Sequence, residues 1–463
     1  MAKYFGTNGI RGLYDFLTPH FALKAAFAFS QWTKEKISSR AKKVRIGIGR
    51  DMRITSPSLH SACIAGILAS GSDAINMGLV SSPTAELMIK RLNLSGLIIV
   101  TASHNPAEWN ALKFVDWNGV AISKERGAEI EYLIDKYNTI PATPQSGKMF
   151  DYKAATEQHI SLALKKINTK SIQKRTPHII VDCGNGTAAL IAPRLFTLLG
   201  CQVHTINGKI DGTFPGRQSE PTQENIRGLL LEVKEKKADI GIAYDGDADR
   251  VIFVDEKGIF VSGDMSFALS ARLALEQSSS KSSKVVVTTV ATTNAVRDIC
   301  VQYGAKLHYT KVGAPYLSEE TYKTAAISAG EEVGGIIWPS FSLAKDGIFA
   351  AAKIIEAICE KETTLSALLK QIPIYYSSKT KVPCKPGINK TKVIEEIATY
   401  FQLQHFTPNT LDGVRIDYKD SWSIIRASGT ENYFRVFAEA KSQKEADELM
   451  ERHKKLLQEL INK

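Results

Sequence analysis

Short runs rich in valine and isoleucine recur along this chain, each followed by a polar turn and a stretch of helical length, and they leave few folds open to it. VRIGIG at Val44–Gly49 leads into the turn Arg50–Ser56 and a helical stretch at Pro57–Ser70. Further strands are predicted at Asp73–Val80 and Leu97–Ala102, with a helix at Ala85–Arg91 between them. HIIVDC begins at His178, with the turn GNG and a helix from Thr187 to Leu199, and ADIGIAY at Ala238–Tyr244 is the next buried strand. KVVVTTV begins at Lys284 and precedes a helix at Asn294–Tyr303. Strands alternating with helices imply parallel α/β layers, and three such units are present. The end differs: Gly413–Ile425 and Tyr433–Ala440 are rich in β-branched and aromatic residues, and a charged helix at Gln443–Ile461 closes the chain. That region reads as a smaller α+β domain. Connections near Pro141–Gly147, Glu256–Gly263 and Ile372–Lys379 give four expected domains, at 1–147, 148–256, 257–372 and 373–463. A chain of 463 residues exceeds what one core serves.

Composition narrows the function classes. The amino terminus, MAKYFGTNGIRG, carries no apolar run of signal-peptide type. No stretch approaches the ~20 apolar residues of a membrane span. The six cysteines are scattered without a CxxC pair, so they read as reduced thiols of a cytoplasmic protein. The formal net charge is +11, but the lysines are dispersed and no basic block is interleaved with stacking aromatics. Nucleic acid is therefore not expected as a partner, nor is a membrane; an anionic small molecule is. Monomer and homo-oligomer are both compatible with the sequence.

Four segments carry chemistry. In TASHNP, Thr101–Pro106, a serine follows an apolar strand, at the carboxyl end where α/β folds place their sites; the alternative is a polar turn whose serine caps a helix. DGDADR, Asp245–Arg250, sets three carboxylates at alternate positions after a buried strand. Such crowding is costly without a cation, and oxygen ligands suit Mg²⁺, Mn²⁺ or Ca²⁺. An EF-hand loop is opposed by Arg250, where that loop's turn requires glycine, and by flanks that read as strands. A solvated acidic turn remains the other reading. GEEVGG, Gly330–Gly335, frames two carboxylates with glycines, suiting either sugar hydroxyls or an ordinary surface turn. In RASGTENYFR, Arg426 and Arg435 bracket Ser428, Gly429 and Thr430. Guanidinium groups, hydroxyls and amides make a phosphate-binding set, or a capped strand-to-helix turn.

Together and in this order, these segments resemble the α-D-phosphohexomutase superfamily: phosphoglucomutases, phosphomannomutases and phosphoglucosamine mutases. The resemblance extends to FGTNGIRG at Phe5–Gly12, GRDMR ending at Arg53, VDCGNG at Val181–Gly186, DGTFPGRQSEPTQEN at Asp211–Asn225 and KDG at Lys345–Gly347. It implies three similar α/β domains with mixed, mostly parallel sheets and a smaller α+β fourth domain around a central cleft. It implies that Ser103 carries a phosphoryl group, and that Asp245, Asp247 and Asp249 hold Mg²⁺ together with the phosphorylated Ser103. Lys113, which matches the lysine of an NGxK segment although Ala111 replaces the glycine, becomes a candidate for proton transfer, with Arg11 and His104 beside the transferring group. Arg250, Lys311, Gly313, Glu331 and Val333 fall on the substrate side. Arg426, Ser428, Gly429, Thr430 and Arg435 fall on the loop that holds the substrate's non-reacting phosphate. The implied reaction moves a phosphoryl group between the 1- and 6-hydroxyls of a hexose phosphate through a hexose 1,6-bisphosphate. A non-catalytic sugar-phosphate-binding relative is expected to lose the serine or an aspartate, and neither is lost here.

Some positions depart from the family pattern. The sugar loop of glucose- and mannose-phosphate enzymes often reads GEMSGH; here Val333 and Gly335 replace serine and histidine. Ala314 stands where relatives commonly carry histidine or aspartate, Lys345 replaces a usual arginine and Asn432 a usual proline. These changes favour glucose and mannose phosphates, loosely discriminated, and leave glucosamine phosphate as the alternative.

Overall fold

The run of Leu97 to Val100 has no polar residue because both of its faces are covered. In the computed structural model, which describes residues 3–37, 43–137, 139–141, 145–278, 284–428 and 432–462, Ile98 and Val100 enter one core and Leu97 and Ile99 another. The strand Gly96–Val100 lies parallel to Arg45–Arg50, which lies parallel to Asp73–Leu79 on its other side. Met149–Asp151 adds a parallel edge. Trp109–Asp116, Gly9–Leu13 and Phe5–Gly6 extend the opposite side antiparallel.

The second sheet pairs His178–Asp182 parallel with Ile240–Tyr244 and Gln202–Ile206. It is extended antiparallel by Val251–Val254 and Phe260–Val261. In the third, Val285–Thr289 runs parallel to Lys306–Thr310 and Ser328–Gly330, with Ile336–Ile337 antiparallel at the edge. One apolar core, from Ile160 to Ile372, runs through both. The fourth sheet is wholly antiparallel, formed by Tyr376–Pro383, Tyr433–Ala440, Trp422–Ala427 and Val414–Asp417. Its closing helix, Gln443–Ile461, starts at Ser442, whose hydroxyl accepts from the Glu445 amide, as a capping box prescribes. Three mixed α/β sheets and one antiparallel α+β unit are the fold class expected from the sequence.

One expectation needs correction. The helix predicted from Thr187 to Leu199 is a 3₁₀ turn at Thr187–Leu190 followed by a helix at Ala192–Leu199. Pro193 lacks an amide proton, so it opens the second helix rather than continuing one. The β-rich run Gly413–Ile425 is two strands, because the polar segment before Trp422 turns back, with the Tyr418 amide bonded to the Ser421 carbonyl at 2.8 Å. No helix among the described residues is long and apolar enough to cross a membrane.

Candidate active site

Parallel strands put their carboxyl ends on one side, and four chemically loaded loops start there. The backbone amide of Asp51 bonds to the carbonyl of Val100 at 3.0 Å, so GRDMR and TASHNP leave adjacent strands together. Arg53 is fully buried. Its guanidinium donates to the backbone carbonyls of Ser103 (2.8 Å), Asn105 (2.7 Å), Trp109 (3.1 Å) and Pro106. Asp51 holds the same guanidinium from behind at 3.0 Å. Backbone carbonyls of an irregular loop have no ladder partners, and one arginine supplies them. Ser103 itself sits at φ 53°, a left-handed conformation that costs a non-glycine residue about 1–3 kcal/mol. It is held there by Arg53, by its own amide on Thr101 Oγ1 (3.0 Å) and by Ser219 Oγ on its carbonyl (3.0 Å).

DGDADR joins Ile240–Tyr244 to Val251–Val254. Three successive carbonyls of this loop point outward: Gly246 accepts from the Thr187 amide (2.9 Å), Asp247 from Ser82 (3.1 Å) and Ala248 from Gly347 (3.2 Å). The loop is thus pinned by segments of the first, second and third α/β units. A side chain on Gly246 would meet the Ser103 carbonyl at 2.6 Å, so only glycine permits this approach. The three carboxylates turn inward, and their oxygens lie within 4.8 Å of one another. Ser103 Oγ donates to Asp245 Oδ2 at 2.6 Å, across 142 residues of sequence. Asp247 Oδ2 accepts from Ser82 Oγ and Lys113 Nζ, both at 2.6 Å. The Oδ1 atoms of Asp247 and Asp249 are buried and have no hydrogen-bond partner among the described residues. Orphaned carboxylate oxygens beside a serine hydroxyl, with no nitrogen or sulfur donor in the set, fit a hard divalent cation.

Electrostatics assign states to the surrounding groups. Burial, then Asp249 and Asp247, push the Asp245 carboxyl well above its usual range. Burial opposes charge on Lys113, but Asp247 and Asp249 outweigh it and raise its pKa; Asp249 lies 3.3 Å from the ammonium. Burial opposes charge on Asp249 too, and Lys345, Lys113 and Arg250 override it, lowering its pKa. His104, whose Nδ1 is 3.4 Å from Ser103 Oγ, is held well below the usual histidine range by burial, then by Arg250 and Arg11, so its imidazole is neutral. Arg11 donates to Asn105 Oδ1. Burial acts against charge on Arg250, and Glu220, Glu331 and Asp249 restore it; the Glu220 carboxylate grips it at 2.7 and 2.8 Å.

Glu331 lies beside this cluster. Its carboxylate accepts from Lys345 Nζ at 2.7 Å, and the same ammonium is 3.4 Å from Asp249. Val333 occupies the tight turn closed by the Glu331 amide on Gly335 (3.0 Å). Glu332 turns toward Thr289 Oγ1, at 3.1 Å. Ser103, His104, Arg11, Lys113, the three aspartates, Arg250 and Glu331 therefore form one connected site.

The remaining residues form a second cluster. Arg426 and Arg435 stand directly opposite each other on antiparallel strands, an arrangement that disfavours itself unless an anion lies near. Ser428 follows Arg426, its amide bonded to the Tyr433 carbonyl at 3.0 Å; Gly429 and Thr430 lie outside the described residues. Lys311 pairs with Glu125 at 2.8 Å. Gly313 adopts φ 137°, where a side chain would meet Thr7 at 2.2 Å. Asp412 joins the loops, accepting from Arg426 Nη2 at 2.5 Å and from the Val312 amide at 2.9 Å.

Sequence reasoning passed over Ser82, Glu86, Ser219, Glu220 and Asp412. Ser82 and Glu86 are one turn apart on the helix Ser82–Arg91, which places both on one face. Burial pushes the Glu86 carboxyl up to about 8. It lines a small cavity with Asn8, Lys113, Asp249 and Lys345.

The chain matches, in order, the family models of phosphoglucomutase/phosphomannomutase alpha/beta/alpha domain I (residues 2–140), domain II (157–258), domain III (262–376) and the C-terminal domain (380–456). It is 36% identical over 462 residues to a phosphoglucomutase/phosphomannomutase of Thermococcus kodakarensis, covering 100% of both chains. It is 32% identical over 461 residues to a phosphoglucosamine/phosphogalactosamine mutase of Sulfurisphaera tokodaii, covering 99% of this chain and 100% of the other. Its fold superposes on a phosphoglucomutase/phosphomannomutase family protein of Burkholderia thailandensis with a TM-score of 0.86 at 24% identity, covering 99% and 98% of the two chains. With four successive domains matched and relatives aligned from end to end, the chain belongs to the phosphoglucomutase/phosphomannomutase family and is a phosphohexomutase.

Proposed function

We propose that this enzyme interconverts the 1- and 6-phosphates of glucose and of mannose through a phosphorylated Ser103 and a hexose 1,6-bisphosphate. One observation carries the reading: Ser103 Oγ lies 2.6 Å from Asp245 Oδ2, inside a three-carboxylate cluster that fits a divalent cation. The four expected domains, 1–147, 148–256, 257–372 and 373–463, then contribute the serine loop, the acidic loop, the sugar loop and the phosphate loop in turn.

In the first transfer a sugar hydroxyl oxygen bonds to the phosphorus of phosphoserine, the bond from phosphorus to Ser103 Oγ breaks, and the proton lost by the sugar hydroxyl is matched by one taken up at Ser103 Oγ. The bisphosphate turns over, and the second transfer returns the other phosphoryl group to Ser103 while the departing sugar oxygen regains a proton. Lys113, kept charged by Asp247 and Asp249, suits protonation of that oxygen. Neutral His104 suits exchange of the proton on Ser103 Oγ. Arg11 and Arg250 orient the phosphoryl oxygens. Asp245, Asp247 and Asp249 would hold Mg²⁺, which supplies charge neutralisation to the phosphoryl oxygens when bound. Arg426, Ser428 and Arg435, with Gly429 and Thr430, grip the non-reacting phosphate in both orientations.

Sugar choice rests on the loop at 330–335. Glu331 is paired with Lys345, and Glu332 already accepts from the Thr289 hydroxyl, so each carboxylate is held by a protein donor, which supports a pocket for neutral hydroxyls. The phosphoglucosamine/phosphogalactosamine mutase relative supports the second reading, an amino-sugar substrate. A coupled assay with glucose, mannose and glucosamine 1-phosphates, each started with a trace of its bisphosphate, separates them. Specificity constants for glucose and mannose within about a hundredfold are expected, the reach of weak pocket contacts; a glucosamine preference above about a thousandfold would overturn the assignment.

A further inference from the structure

The C-terminal sheet meets the third sheet in two places of different character. At one, Arg415 is buried and donates to the Val290 carbonyl at 2.8 Å and to Asn294 Oδ1 at 2.9 Å. Glu439, also buried, accepts from the Asn294 amide at 2.8 Å, and Trp422 and Ile424 pack on Val290. At the other, on the same strand's approach, Asp412 reaches the Val312 amide and Arg426 together, with a quarter of its side chain in solvent. The loop it reaches is held in turn by the first α/β unit, where Glu125 accepts from Lys311 (2.8 Å) and from the Tyr316 hydroxyl (3.1 Å). A buried, multiply bonded contact resists separation, whereas a partly exposed contact made by one oxygen opens first. The Arg415 contact is thus the pivot and the Asp412 contact the rim.

We propose that Asp412 is a positioning residue that retains the bisphosphate. Its single Oδ2 atom ties the phosphate-gripping Arg426 to the backbone of the Lys311–Gly313 loop, so the rim stays closed while Arg426 is aimed. Gly413 permits this placement: at φ 86° its α-carbon passes so near the neighbouring strand that a side chain would meet the Ile425 carbonyl at 2.2 Å. The amide of Val312 is an intersheet donor and Arg426 an intrasheet one, so one carboxylate couples closure to grip. The inference rests on the two-transfer reading above, because only a reaction with a detached intermediate has something to lose at an open rim.

The test uses the full-length protein, glucose 1-phosphate and labelled glucose 1,6-bisphosphate. It measures bisphosphate released to solution per molecule of glucose 6-phosphate formed. Asp412→Asn keeps shape and removes the charge; Asp412→Ala removes both contacts. Asp412→Ala is expected to raise the ratio about tenfold or more, as for loss of one hydrogen bond to a charged group. Asp412→Asn, whose amide oxygen still accepts but without charge, is expected to raise it by a smaller factor. Each is expected to raise the requirement for added bisphosphate. A merely structural role lowers turnover without moving that ratio. Should Asp412→Ala fail to fold, the isosteric Asp412→Asn decides. A ratio equal to wild type in folded Asp412→Asn overturns the proposal, even if kcat falls. Absence of turnover by the wild type with any of the three 1-phosphates overturns the activity reading, and this inference with it.

Discussion

Replacing Arg53 with methionine isolates the support of the serine loop from its chemistry, because Arg53 does not touch Ser103 Oγ. The substitution keeps most of the side-chain volume. It strips donors from four backbone carbonyls and leaves Asp51 buried without its cation. Among the described residues, the Asp51 carboxylate then retains only the amide of residue 53 (3.0 Å) and Ser56 Oγ (2.6 Å). Breaking one side of a buried ion pair costs about 3–5 kcal/mol. For a domain of this size each kcal/mol moves the midpoint by about 2–4 °C, so calorimetry should show the first domain melting roughly 6–20 °C lower. Ser103 would lose the constraint on its left-handed backbone, and turnover should fall with it. Adding Asp51→Asn should recover a large part of the stability, since no buried charge is then left unpaired, but little of the turnover. A single variant that melts within the range of a surface substitution, about 0.5 kcal/mol, with normal turnover, would refute the claim that this arginine builds the loop.

Asp247→Asn should reduce divalent metal retained in elemental analysis and lower turnover, because it removes a hard anionic ligand; unchanged metal content and rate count against the site. Lys345→Met should raise KM more than it lowers kcat, since Glu331 loses its 2.7 Å partner and its aim; equal effects on both would place Lys345 elsewhere in the reaction. Asp264 is raised to about 7, chiefly by burial, so the folded state binds a proton that the unfolded chain has released above its ordinary carboxyl range. Its contribution is complete below that range and lost as pH rises through 7. Asp264→Asn should therefore flatten the fall in thermal midpoint between about pH 4 and 7, read by calorimetry across that interval.

The sequence made the strands and the reactive residues legible for different reasons. Leu97–Val100 announces a strand buried on both faces, because no polar residue is tolerated there. Asp245, Asp247 and Asp249 point to a cation in the sequence, because three carboxylates at alternate positions after a buried strand are costly without positive charge nearby. Arg53 is another matter. Apart from Asp51 its partners are backbone carbonyls, which carry no residue signature, so its role is visible only in the fold. Asp412 and Val312 are 100 residues apart, and one of the two atoms in contact is again a main-chain amide. Thr187–Leu199 misled because helical periodicity persists across Pro193 while the backbone cannot. The sequence GEEVGG does not say which of its two carboxylates faces the site: in so tight a glycine-framed turn adjacent side chains leave in different directions, and only Glu331 reaches Lys345 while Glu332 meets Thr289.

Four cations near the site share a property that bears on the reaction. Arg250 is paired with Glu220, Lys345 with Glu331, Arg426 with Asp412 and Lys311 with Glu125. Each pair fixes a long side chain before any ligand arrives, so the entropy of ordering it is not charged to binding. Each also sets a carboxylate in competition with the ligand's phosphate, which lowers the net gain from contact. An enzyme that captured its substrate once and released product would do better with unpaired arginines. A mutase must hold a bisphosphate, let go of both its ends and hold it again reversed, so tight ground-state binding would slow the turn and raise no rate. Pre-aimed but partly neutralised cations meet both demands: they give geometry without excessive hold. The retention that weak grips forgo then has to come from somewhere other than the phosphate contacts, and a rim closed by Asp412 is the element in this structure placed to supply it.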